Sequence, residues 1–266
     1  MSTDGPDDRA TQVLVEHHPG GVVHVALSGP RTLGAQTPAT WAALKQAAAD
    51  LPAGTRAVVL RGTGRAFSSG LDRSAAPLLA GLGRRPADEV AEQVRTFQAA
   101  FTCWRRPGVL SVAAVHGAAV GAGFQLALAC DVRLAADDAA FRMAETGMGL
   151  VPDLAGTGPL VRAVGEQAAL EICLTGRTVG AQEALRLGLV RAVVPAAELG
   201  QATEDLLGAV LAAPEASVRE TLDLLRGAGA RPAAEQERLE REAQARLLPL
   251  LGGPPGPPEA TGPPAR

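Results

Sequence analysis

The run RPGVLSVAAVHGAAVGAGFQLALACD, Arg106 to Asp131, decides the fold class. It holds no Asp, Glu, Lys or Arg between its two ends. Its first half, Val109 to Val115, is apolar and rich in valine, the composition of a strand buried on both faces. His116-Gly117 breaks that strand. Gly121-Ala122-Gly123 then opens a second run, Phe124 to Cys130, that suits a short buried helix. A glycine-rich turn between a central strand and a helix start leaves backbone N–H groups without partners, and developing negative charge is stabilised there. Two readings follow: a holder for an oxyanion, or a tight corner where glycine only permits close approach. The run is long enough to cross a bilayer. Interruption by glycines, His116 and Gln125, with no one-sided excess of Lys and Arg at the ends, argues against a membrane span.

The rest of the composition agrees with a buried α/β core. Of 266 residues, 47% are hydrophobic and 20% charged, the balance of a globular chain. Aromatics make up only 3%, so Ala, Val and Leu must fill the core. The net charge of -3 and the lack of a basic cluster with interleaved aromatics argue against a nucleic-acid partner. Cys103, Cys130 and Cys173 are odd in number and too widely spaced for a zinc site; they read as free buried thiols in a reducing cytoplasm. The acidic start MSTDGPDDRA has no apolar stretch of the signal-peptide kind.

Outward from the central run, strands and helices alternate. Residues 1–10 read as a disordered tail. Gln12 to Glu16 and Gly21 to Ser28 flank Pro19-Gly20 as a hairpin. Thr37-Pro38 starts a helix, with Thr37 as its N-cap. Arg56 to Arg61 is a strand, and the Pro- and Gly-containing segment 73–86 reads as mobile. Asp88 to Trp104 has helical periodicity. Val132 to Ala135 and Ala139 to Met143 read as strands, and Glu145 to Gly158 as irregular. Gly165 to Leu174 and Ala181 to Leu187 read as helices, and Leu189 to Val194 as a strand. The core is therefore α/β over 11–195, followed by a helical region over 196–251. The last 15 residues, GGPPGPPEATGPPAR, hold six prolines and four glycines and read as a second disordered tail.

Two further segments carry candidate chemistry. In Gly62 to Asp72, GTGRAFSSGLD, Phe67 stands where a dinucleotide fingerprint needs its third glycine, and the Ser68-Ser69-Gly70 spacing is not that of a nucleophile elbow. Its plain reading is a turn with Asp72 capping a helix. Beside the central run it has another: Gly70 permits a left-handed turn that frees the N–H of Leu71, so two loops could clamp one carbonyl oxygen. In Ala140 to Leu160, Glu145 sits in an apolar neighbourhood with Asp153 eight residues on. Buried carboxylates make good proton shuttles; the plainer alternative is that each caps a turn or pairs with Arg142 or Arg162. No residue pattern here suggests a catalytic metal.

In this order the segments resemble the crotonase superfamily, the enoyl-CoA hydratase/isomerase group, over roughly residues 10–230. Phe67 to Asp72 resembles its first oxyanion loop and His116 to Ala127 its second. Phe141 to Gly158 resembles its catalytic carboxylate segment. Leu174-Thr175-Gly176-Arg177, Ala181 to Ala184 and Gly188-Leu189-Val190 resemble the stretch that follows. The resemblance implies a crotonase-like spiral of ββα units with a helical C-terminal region, assembled as a homotrimer or a dimer of trimers. It implies an acyl-CoA thioester substrate of the kind met in fatty acid metabolism, with no separate cofactor because CoA is part of the substrate. It implies an oxyanion hole from the N–H groups of Leu71 and Ala122, with Ser69, Gly70 and Gly121 lining the site and Arg31 near the CoA phosphates.

The departures bear on the reaction. Hydratases of this group use two glutamates; Glu145 matches one, and Gln125 stands where the other belongs. Three residues after Ala122 on a helix, Gln125 faces the same site. A carboxamide orients water but takes no proton at neutral pH. Isomerization needs only one base beside a held enolate, so enoyl-CoA isomerase is the favoured expectation, with Glu145 and Asp153 as proton carriers. The alternatives are a hydratase with an atypical Gln125 and a non-catalytic acyl-CoA-binding protein. Gly34-Ala35-Gln36 also replaces the group's usual Asn-Ala-Leu.

Overall fold

A computed structural model of the protein describes residues 10–251. Apart from Ala10, both expected tails lie outside the described residues. The chain begins with β1 (Gln12–His18) and β2 (Val22–Ser28), paired antiparallel with Val15 opposite Val25. Helix α1 (Pro38–Ala49) starts as expected: Thr37 accepts from the Thr40 N–H, and Thr40 answers with its own hydroxyl on the Thr37 N–H. There follow β3 (Ala57–Gly62), β4 (Ala66–Ser68), α2 (Ala76–Leu82), α3 (Ala87–Thr102), β5 (Leu110–Val115), β6 (Ala118–Val120) and α4 (Ala122–Leu128). Then come β7 (Val132–Ala136), β8 (Ala140–Arg142), α5 (Thr157–Val164), α6 (Glu166–Thr175), β9 (Thr178–Gly180), α7 (Ala181–Arg186), β10 (Ala192–Val194) and α8 (Leu199–Leu211).

These strands form two sheets. The large one has the order β1-β2-β3-β5-β7-β10 and is parallel beyond its first hairpin. The small one has the order β4-β6-β8-β9, with β4, β6 and β8 parallel. Three successive turns, β3–β4, β5–β6 and β7–β8, each lay a longer strand in the large sheet, cross a short break, and lay a three-residue strand in the small sheet. The central strands β3 and β5 are buried on both faces, which is why they read as continuous apolar runs, whereas the edge strand β1 is largely exposed. One face, with Val23, Val25, Leu27, Val58, Leu60, Ala113 and Val115, joins the main core. There Trp41 packs its ring 4.8 Å from Phe97 and 6.0 Å from Phe101. Full burial of such side chains contributes roughly 1.5–3 kcal/mol each, enough for a core poor in aromatics. The described residues divide into two compact units, the first through Ala212; the second holds α9 (Glu215–Ala228) and α10 (Ala233–Leu251), tied by a bidentate Arg246–Glu220 pair.

Two expectations need correction. Segment 73–86 contains α2: Pro77 sits in its first turn, where no N–H is required, and Gly83 lies just past its end. The stretch read as irregular ends in α5, whose Pro159 is likewise accommodated in a first turn. Cys103, Cys130 and Cys173 are free, and burial pushes all three thiols up, Cys103 to about 11. None of the described helices is long and apolar enough to cross a membrane.

Candidate active site

The site is built where the three parallel strands of the small sheet end. Leu71 follows β4, Ala122 follows β6 and Glu145 follows β8, so strand pairing brings three distant segments side by side. Gly70 has φ +88°, and a Cβ there would lie 2.4 Å from the Val120 carbonyl and 3.6 Å from the Ala122 nitrogen. The first loop therefore rests directly on the second. The Gly70 carbonyl accepts from the Gln36 N–H at 2.7 Å. Because the peptide is planar and trans, the N–H of Leu71 must point the opposite way. In the second loop the Gly121 carbonyl accepts from the Gln125 N–H at 2.9 Å, so the N–H of Ala122 points back out of α4. Among the described residues neither N–H donates a hydrogen bond. The packing-corner reading holds as well, one residue on: a Cβ on Gly123 would meet the Ser68 carbonyl at 2.5 Å.

Glu145 is 6% exposed. Its Oε1 accepts from Gln125 Nε2 at 2.8 Å, while its Oε2 is buried without a partner. A Cβ on Gly121 would lie 3.1 Å from that Oε1, which places the carboxylate against the Gly121–Ala122 peptide. Burial raises its pKa; hydrogen bonds from N–H groups, including that of Gln125, partly oppose the rise, and the Asp153 charge adds to it. Glu145 is thus neither an ion-pair partner nor a side-chain cap: Arg142 donates instead to the Gly176 carbonyl at 2.8 Å. Asp153 is half-buried, and burial raises its pKa too. Gln125 is held from both ends. Its Oε1 accepts from the Leu154 N–H (2.9 Å) and the Gly156 N–H (3.3 Å), so it locks Glu145 to the loop that carries Asp153.

The remaining expected residues serve the loops. Ser69 donates from Oγ to the Thr32 carbonyl (3.0 Å) and from N–H to the Leu33 carbonyl (2.8 Å), bracing the first loop. Arg31 is exposed in that neighbouring turn, outside the cluster of Gly70, Leu71, Gly121, Ala122, Gln125 and Glu145. Sequence reasoning missed a network behind the first loop. Fully buried Gln36 accepts from Trp41 Nε1 (2.8 Å) and donates to Ser68 Oγ (2.9 Å), which itself donates to the Gly34 carbonyl (2.7 Å) and accepts from the Gly70 N–H (3.2 Å). The signal available was the departure at Gln36, a polar residue where an apolar one is usual.

Two unpartnered amides on loops that touch, beside one buried carboxylate, are groups that would suit a substrate in which charge builds on a carbonyl oxygen as a nearby proton leaves. The model of the family described as Enoyl-CoA hydratase/isomerase matches residues 17–248. The chain belongs to that family. Within it, a Thermus thermophilus protein provisionally named an enoyl-CoA hydratase is 38% identical over 218 residues, covering 80% of this chain and 83% of its own. A Bacillus subtilis protein with a similarly provisional name is 38% identical over 138 residues, about half of either chain (52%). The structure of a Thermobifida fusca protein, provisionally named an enoyl-CoA hydratase and solved with acetoacetyl-CoA, superimposes with TM-score 0.82 at 39% identity, covering 90% of this chain and 95% of its own. The expected α/β spiral with its helical C-terminal region is thus shared with solved members of the enoyl-CoA hydratase/isomerase family.

Proposed function

We propose that this member of the family binds acyl-CoA thioesters and shifts the double bond of a 3-enoyl-CoA to the 2-position. The observation that carries the reading is the state of Gln125. Both its acceptor sites face backbone N–H groups and its amide donates to Glu145, so it offers no base to a water molecule. One carboxylate then does the work. Glu145 Oε2 takes a proton from C2; the electron pair moves toward the thioester oxygen, where the Leu71 and Ala122 amides receive the charge. The proton returns at C4, from Glu145 or by way of Asp153, as the double bond settles between C2 and C3. No cofactor enters, and CoA is part of the substrate. Ser69, Gly70 and Gly121 shape the site, and Arg31 is assigned to the CoA phosphates. Assembly as a trimer or dimer of trimers and a cytoplasmic setting complete this reading.

Hydration is the second reading, favoured by the provisional names of the relatives. An assay on both substrates separates the two. Wild-type protein is expected to convert 3-hexenoyl-CoA faster than it hydrates crotonyl-CoA, and Gln125→Glu to raise hydration. Efficient hydration by the wild type would sink the isomerase assignment. Binding of acyl-CoA with turnover of neither substrate would leave a binding protein.

A further inference from the structure

We propose that Glu16, His18 and His24, joined by Glu204, form a binding site for a zinc-like divalent cation on the α8 side of the large sheet. None of these residues belongs to the acyl-CoA site. The hairpin register creates the cluster: Glu16 stands directly opposite His24, and His18 lies two residues further along β1, on the same face. His17, between them, points to the other face. The His18 and His24 rings stack with centroids 4.2 Å apart, and one ligand atom from each of the three residues lies within 4.8 Å of the others. Helix α8 brings a second carboxylate from above, with Glu204 Oε1 3.4 Å from His24 Nε2.

Three features favour a cation. First, His24 Nε2 is buried and has no hydrogen-bond partner, although its ring is only 13% exposed. Apart from the Glu204 carboxylate at 3.4 Å it has no hydrogen-bond or ion-pair partner among the described residues, and a cation would supply the missing counterpart. Second, the spacing is close to that of a tetrahedral site. Bonds of about 2.0–2.2 Å hold neighbouring ligand atoms about 3.3–3.6 Å apart. The 3.4 Å contact already matches, and the 3.8 Å from His18 Nε2 to Glu16 Oε2 and the remaining spacings, up to 4.8 Å, close by rotations of two half-exposed side chains. Third, two imidazoles with carboxylates are the donor set that zinc accepts, whereas magnesium and calcium prefer oxygen alone. Arg61 donates to Glu16 Oε2 at 2.9 Å and opposes a cation by its charge. Two carboxylates outweigh that one charge, and a hydrogen bond to a ligating carboxylate is the usual way its orientation is fixed. The bound ion would clip the edge hairpin to α8, so it would act on stability.

The test uses the full chain, stripped of metal by a chelator that is then removed. Zinc chloride is titrated by calorimetry, and cobalt(II) is followed by its visible bands, which report four-coordination. The expected result is one zinc per chain, with affinity at least tenfold weaker in His18→Ala and His24→Gln and unchanged in His17→Ala. Zinc should also raise the melting temperature of wild type and of His17→Ala, but not of His18→Ala. Absence of stoichiometric binding, or equal binding by wild type and His18→Ala, would overturn the proposal. So would equal loss in His17→Ala, since that would mean loose capture by any histidine of the hairpin. Because His18 is half-exposed, its variant keeps the test decisive even if His24→Gln does not fold.

Discussion

Glu145 keeps one oxygen buried and unpartnered, and an ionised carboxylate is costly in such a place. Its folded-state pKa lies above its unfolded one, so the folded protein binds the proton more readily. The unfavourable contribution is therefore present at neutral pH and relieved as pH falls through the raised value toward the ordinary carboxylate range. Turnover runs the other way, because only the ionised form is a base. Glu145→Gln is expected to cut kcat by about 10²–10⁴ while acyl-CoA affinity stays within about tenfold. Its melting temperature should exceed that of wild type at pH 7, with the gap narrowing in acid. Calorimetric melts over a pH series check this, and an unchanged or lowered melting temperature at pH 7 would refute the burial cost. The Gln36 side chain acts one step back, through Ser68 Oγ, which accepts from the Gly70 N–H. Gln36→Leu leaves Trp41 Nε1 without its partner, at roughly 1–3 kcal/mol, and takes one of three hydrogen bonds from Ser68 Oγ, which also bonds the Gly34 carbonyl and the Gly70 N–H. It should lower kcat at least tenfold with little change in KM, and red-shifting of the bound thioester C=O stretch should diminish. A stability loss with normal kcat would make Gln36 merely structural. Glu145 was legible from its apolar surroundings and the family resemblance. The role of Gln36 was not, because it comes from the bond to Ser68, 32 positions away, which no local pattern encodes.

At the scale of elements, the glycines of the two loops are not interchangeable with small residues in general. Gly70→Ala would combine a left-handed φ with a methyl 2.4 Å from a backbone carbonyl, which cannot swing aside as a side chain can. Expected outcomes are a clear fall in melting temperature and loss of turnover together, read by thermal melts and the double-bond assay; a stable, active variant would mean the loops do not rest on each other. The long elements were readable: the valine-rich β5, the Thr37-Pro38 start of α1 and the periodicity of α3 all declare themselves within a few residues. The short strands β4, β6 and β9 span three residues each, too few for alternation to show, and exist only because a neighbour pairs with them. Helices α2 and α5 were hidden by prolines that fall in first turns, where they do no harm.

For the whole molecule, the winding sets an order of events. Residues 71, 122 and 145 belong to successive turns, so the candidate cluster cannot exist until the third turn has docked on the second. Both tryptophans, Trp41 and Trp104, lie before β5 and are buried, Trp41 against Phe97 and Phe101 of α3. In refolding from urea, tryptophan burial should therefore lead and recovery of turnover should lag; coincident curves would mean that the turns dock as one. Contacts this distant in sequence are slow to form, and on this ordering activity would be the last property the chain acquires. A truncated or stalled chain would thus carry a largely native fluorescence signature and no chemistry, so for this protein turnover is a stricter gauge of complete folding than any signal from its aromatic residues.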